Sequence, residues 1–304
     1  MLWLVVTISA YFILAVVFLV DKYLLVGPIP SPKVYAFYIG ILQALALLLI
    51  PFVNFIFPGF FYVFLGLASG FFFIIGLLWF YKGLRIFEAS RIVPAIGGLL
   101  PIFTFFLIYV FSGGKEILGP WEFLSFLLLI SGSFIITSKK GKKIPWESLK
   151  ISAVAAATLS FYMVLAKYVY MVQPFWSGFI WIRIGALLAG IVLLFLFFKE
   201  IKEEVFKKRE ASSLKTTLIF LSNQTAGAGA NILQNWAVAL APLVYVSVVN
   251  ALMGTQYAFL FIFALVISLK FPKILKEEVS REVFFQKIAA ILLIGGGLAI
   301  LAFK

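Results

Sequence analysis

Between residues 224 and 235, four positions fall on one face of a helix. Gln224, Ala228, Asn231 and Asn235 follow one another at spacings of four, three and four, which stacks them in a single stripe. Asn223, Gly227 and Gln234 widen that stripe, while Leu221, Ile232 and Trp236 fall on other surfaces. An amide both donates and accepts hydrogen bonds without carrying charge. Inside an apolar segment such a stripe either lines a route for a polar solute or ties neighbouring helices together. Arg183 stands alone in a different apolar run. Its planar fork suits bidentate contact with a carboxylate or phosphate, the alternative being a stem that reaches out to lipid headgroups.

Pro94, Gly97-Gly98 and Pro101 interrupt a further apolar run, and Asn250, Met253-Gly254 and Gln256 occupy the equivalent stretch of a later one. A proline removes a backbone donor and clashes with the preceding turn. The spacing therefore predicts two interrupted helices at matching places, which in membrane proteins is a pointer to a solute site, the alternative being a packing kink with close helix contact. Gln43 adds a lone amide. Glu88 and Arg91, with Lys82 and Arg85 nearby, are spaced to pair on a helix end and to act as a gate. Asp21-Lys22 reads in the same way, as an interfacial pair, and Lys167 as a lysine reaching to the interface.

Much chemistry is excluded outright. The chain has no Cys, no His and one Asp, which removes thiolate and most zinc sites and every His-dependent triad. No phosphate-cradling motif is present; Gly295-Gly296-Gly297 lies within an apolar run and reads as close helix packing. The expectation is a protein that is not an enzyme and uses no cofactor or metal.

These residues sit in a chain of 304 residues that is 64% apolar and 12% charged, against about 25% charged for an ordinary soluble domain. A span needs about 20 mostly apolar residues, and ten such runs can be read: 2–25, 34–57, 60–81, 89–111, 121–137, 151–171, 175–198, 216–239, 243–269 and 283–303. The first lacks the basic leader and cleavage site of a secretory signal and reads as a retained helix. The net charge of +13 is distributed between the runs rather than gathered for nucleic acid. Gaps on one side hold 21 of the 25 basic residues, whereas the other side holds only Lys115 and Lys304. The positive-inside rule then places both termini outside the cytoplasm of a multi-pass cell-membrane protein.

The basic stretch 139–150 divides five runs from five. At an offset of 145, Lys22-Tyr23 falls on Lys167-Tyr168 and Ile39-Gly40 on Ile184-Gly185; at 156, Pro94 falls on Asn250 and Gly98 on Gly254. Because five is odd, the second half crosses in the opposite sense. The fold expected is all-α and integral to the membrane, with ten transmembrane helices as two inverted five-helix repeats (1–138 and 151–304) joined by a cytoplasmic linker.

The segment Glu88-Ala89-Ser90-Arg91-Ile92-Val93-Pro94, running on to Pro101-Ile102-Phe103, is similar to the third-to-fourth helix junction of the drug/metabolite transporter superfamily. So is Ile130 to Ile136 with Gly132. With the five-plus-five layout, the chain resembles that superfamily's EamA-like members. The resemblance implies a secondary transporter or exporter of small polar metabolites, with amino acids and related compounds as the leading class. It would work by alternating access around a midplane site. The candidate solute-binding residues are Arg183, Gln224, Asn231, Asn235, Asn250, Gln256, Pro94, Gly98 and Gln43, with Glu88 and Arg91 as gating residues. The expected partners are the lipid bilayer and a small polar solute. The other reading is a flippase for lipid headgroups.

Overall fold

The computed structural model describes residues 2–26, 31–87, 89–137, 146–206, 214–270 and 281–303. Every regular element among them is helical: α1 (Leu2–Val26), α2 (Pro32–Leu42), α3 (Phe60–Ile86), α4 (Ala89–Phe111), α5 (Pro120–Thr137), α6 (Trp146–Tyr170), α7 (Phe175–Leu196), α8 (Phe198–Phe206), α9 (Leu214–Leu240), α10 (Val246–Ala251), α11 (Met253–Lys270) and α12 (Arg281–Phe303). A 3₁₀ segment, Gln43–Phe52, continues α2. Among the described residues seven stretches are long and apolar enough to cross a membrane: Leu2–Leu25, Pro32–Phe52, Phe60–Ile86, Trp146–Tyr170, Phe175–Leu196, Leu243–Phe263 and Phe285–Phe303. The chain is thus an all-α, multi-pass membrane protein. In α4 and α5 the apolar stretches are shorter, Ala95–Phe111 and Pro120–Ile135. The amides of α9 dilute its hydropathy, although it is 27 residues long.

Local sequence sets the breaks. Ser31 caps α2, its hydroxyl accepting from the Val34 amide, with Pro32 at the first helical position, where a missing N–H costs nothing. Gly59 starts α3 at φ 100°, a conformation open to glycine. The expected pair of interrupted helices is found only in the second half. There Leu252 separates α10 from α11, whereas α4 runs unbroken from Ala89 to Phe111 through both prolines. Membrane helices tolerate proline where neighbours re-satisfy the backbone. Beside Pro101, the Thr104 and Ser160 hydroxyls both donate to the Leu100 carbonyl, at 2.7 and 3.0 Å, and so tie α4 to α6.

In the core α3 packs on α6 and α7, α1 on α9 and α11, α4 on α6 and α10, and α5 on α12. Glycines allow the closest approach at α7. A Cβ on Gly70 would collide with the Ile182 carbonyl, one on Gly185 with the Leu67 backbone, and one on Gly40 with Gly190. No comparable seam joins α9 to α2; those helices meet through the Phe220 ring, set edge-on against Tyr35 and Tyr38. Large apolar side chains such as Phe52, Phe60 and Phe195 point outward, as the outside of a protein in lipid requires.

Candidate functional site

The space left between α2 and α9 is a cavity of about 500 Å³, walled also by α1, α3, α4, α6, α7 and α11. Arg183 lies at one end. It is 3% exposed and its guanidinium lies between the Phe179 and Phe73 rings, 4.5 and 5.2 Å from their centroids. One terminal nitrogen donates to Gln43 Oε1 at 3.0 Å and the other to the Tyr162 hydroxyl at 3.3 Å. Its Nε is buried and unbonded. The Tyr162 hydroxyl also accepts from Asn235 Nδ2 at 2.7 Å. Asn235 in turn accepts from Tyr170 and donates to Asn231. Among the described residues Arg183 has no carboxylate partner. A buried cation without a counter-charge is costly, by several kcal/mol in typical cases, so this end of the cavity favours an anionic group.

Asp21 lies at the other end, and here the structure corrects the sequence reading. Asp21 makes no interfacial ion pair among the described residues; it is 7% exposed and lines the cavity. Its Oδ1 accepts from the Tyr35 hydroxyl and, at 2.7 Å, from Asn223 Nδ2. Among the described residues its Oδ2 meets only the Tyr81 hydroxyl, at 3.5 Å. Gln224 Nε2 donates to the Tyr35 hydroxyl at 3.3 Å and closes the cluster. The expectation of an interfacial pair fails because tyrosine and asparagine side chains from three other helices solvate this carboxylate.

The expected site residues separate into groups. Arg183, Gln43, Gln224, Asn231 and Gln256 line the cavity, with Gly227, Ala228 and Gln234. Leu221 and Ile232, assigned above to other surfaces, line it too. Asn235 and Asn250 are fully buried behind the wall; Asn250 donates to Thr104 at 2.8 Å and ties α10 to α4. Gly98 faces open space but is not part of the lining. Glu88 lies outside the described residues, as do the side chains of Arg91 and Pro94. Lys167 does not reach to the interface. It is buried and donates to the Ala239 and Ala241 carbonyls at 3.0 and 2.6 Å, satisfying acceptors that the end of α9 leaves open.

Sequence reasoning offers Tyr81 among the aromatics that could line a cavity but misses Tyr11, Tyr35 and Tyr162. Tyr11, Tyr35, Tyr81 and Tyr162 are all buried, and each hydroxyl meets a polar partner at or behind the cavity wall. A single aspartate within an apolar run was the signal available for Asp21, since an ionisable residue inside a membrane helix is rarely idle. The tyrosines gave no such signal, because an aromatic ring in a membrane helix is as often packing as lining.

No protein-family model matches the chain, and no curated protein matches it. Solved structures do. One, described only as a crystal structure of a protein, superposes with a TM-score of 0.66 over 99% of this chain and 96% of its own, at 14% identity. At that identity the likeness is one of fold, and it extends over the whole chain.

Proposed function

We propose that the chain is a secondary transporter of small polar solutes, acting by alternating access between two inverted five-helix halves. The observation that carries this reading is Arg183, a buried guanidinium on a cavity wall with no counter-charge among the described residues. A solute anion would supply the missing charge. The packing supports inverted halves. Exchanging α1 with α6, α2 with α7, α3 with α9, α4 with α10–α11 and α5 with α12 turns the α3–α6 contact into α9–α1 and the α4–α6 contact into α11–α1; all four are present. One pair that breaks this symmetry is α3–α7, tightly sealed, against α9–α2, where the cavity lies. Two halves in different packing is what one end-state of a rocking transporter requires. Ten crossings, kinship with the EamA-like transporters and termini outside the cytoplasm belong to the same reading. Nothing in it calls for catalysis or a cofactor.

The test is counterflow by purified protein in liposomes, with pools of labelled amino acids, organic anions and sugars. Saturable uptake of one pool, abolished by Arg183→Ala and weakened by Asn231→Ala, is the expected result. Uptake untouched by Arg183→Ala would refute the site. A second reading, headgroup flipping, is favoured by one feature: the cavity wall includes Leu45 and Leu221, 61% and 45% exposed, so it opens sideways between α2 and α9. Movement of labelled lipid without counterflow of any soluble pool would select it.

A further inference from the structure

The two charges in the cavity stand at a separation that two helices measure independently. Along α2 and the first residue of its 3₁₀ continuation, Tyr35 bonds Asp21 and Gln43 bonds Arg183. On α3, Tyr81 reaches Asp21 and the Phe73 ring underlies Arg183. Each pair is eight residues apart, so each helix spaces its two contact points about 12 Å along its axis, at about 1.5 Å per residue. Roughly 3 Å for a charge-assisted hydrogen bond at each end leaves about 6 Å for a ligand bridging them.

The surroundings match at three levels. Arg183 Nε is unbonded, and the Tyr162 proton has no acceptor among the described residues, so two donors at this end lack a protein acceptor. At the other end Asp21 Oδ2 has one long contact, and Phe18, Phe80 and Tyr81 line the cavity there, offering ring faces to an ammonium. Midway on the two rulers are Ile39 and Leu77, both lining the cavity and both apolar. They suit a methylene chain and offer no partner to a charge.

Resting on the transport reading above, we infer that the cavity selects zwitterions whose anionic and ammonium groups lie about 6 Å apart, bridging Arg183 and Asp21. An α-amino acid cannot bridge them, because its charges are only two bonds apart. An ω-amino carboxylate with roughly three to five methylenes does, at about 1.5 Å per carbon–carbon bond before the zigzag is projected on its axis. The phosphate and amine of an ethanolamine headgroup span a similar length, so the same chemistry has a soluble and a lipid source.

The test is calorimetric titration of the full chain in phosphatidylglycerol nanodiscs with the series H₃N⁺–(CH₂)n–CO₂⁻, from glycine upward. Affinity should peak at the middle lengths, about tenfold or more above glycine and above the monocarboxylate of equal length. In Asp21→Asn the preference for zwitterion over monocarboxylate should fall toward unity. A flat length profile, a maximum at glycine, or no binding in the series would overturn the inference, and none of these needs a variant to fold. An Asp21→Asn protein that keeps its preference would overturn it too. Phosphatidylethanolamine added to the nanodiscs separates the sources: weakened 5-aminopentanoate binding points to the headgroup, and unchanged binding to the soluble zwitterion. A length optimum without counterflow of that ligand in liposomes would refute transport alone.

Discussion

Tyr162 is the residue through which the charged end of the cavity is held. Its hydroxyl accepts from Arg183 on α7 and from Asn235 on α9, so one oxygen aligns two helices on α6. Removing that oxygen leaves one Arg183 nitrogen without its acceptor and Asn235 with Asn231 alone, a loss of about 1–3 kcal/mol in general. Tyr162→Phe should therefore lower the thermal midpoint of the detergent-solubilised protein and loosen anion binding, read by the same titrations. Arg183→Lys keeps the charge but loses the fork that reaches Gln43 and Tyr162 together. Its expected outcome is about tenfold or more weaker carboxylate binding with the fold intact by circular dichroism. Full recovery by lysine would mean that charge alone matters there. Lys167 supplies the contrast. Its partners are the Ala239 and Ala241 carbonyls rather than any group on the cavity wall, so Lys167→Met should cost stability, on the order of 1–3 kcal/mol, while solute affinity stays within error.

At the scale of elements, the glycines in the seam between α3 and α7 and the glycines of α9 differ in what they meet. Gly70 and Gly185 lie backbone against backbone, whereas Gly229 on α9 faces open space. Gly70→Ala should force the helices apart and cost roughly 1–3 kcal/mol, seen as a lower thermal midpoint. Gly229→Ala meets nothing and should be neutral or gain up to about 1 kcal/mol from helix propensity. Equal effects at both positions would show that the seam is not where the helices are locked. Gln43 begins the 3₁₀ segment that replaces the second half of the expected helix, and it is also the side chain that holds Arg183. A change of helix type within an element often marks a hinge, and here the change falls at a site residue.

For the whole molecule the readable quantity is topology. The native chain has no cysteine, so a single introduced thiol reports its own side of the membrane without background. Lys115 and Glu203 are both exposed. If the basic gaps face the cytoplasm, an impermeant maleimide added to intact cells should label Lys115→Cys and spare Glu203→Cys until the cells are opened. The reverse pattern would turn the molecule over and place both termini inside.

Composition alone was enough to specify a helical membrane protein, because apolar runs of this length have no stable alternative to helices in lipid. Most span positions followed from the same runs, as did the amide stripe of α9, whose spacing is a property of one helix. The exceptions were local departures that spacing does not reveal: the 3₁₀ stretch after Leu42, the break at Leu252 and the unbroken α4. What only the tertiary structure decided was which polar groups meet. Asp21 read as a surface charge, and only the approach of Tyr35, Tyr81 and Asn223 from three other helices turned it into a cavity wall. Lys167 and Asn235 likewise acquired their roles from partners more than sixty residues distant. Helix formation is governed by neighbours in the chain, but the solvation of a buried polar group is governed by neighbours in space, and a single sequence records the first far more directly than the second.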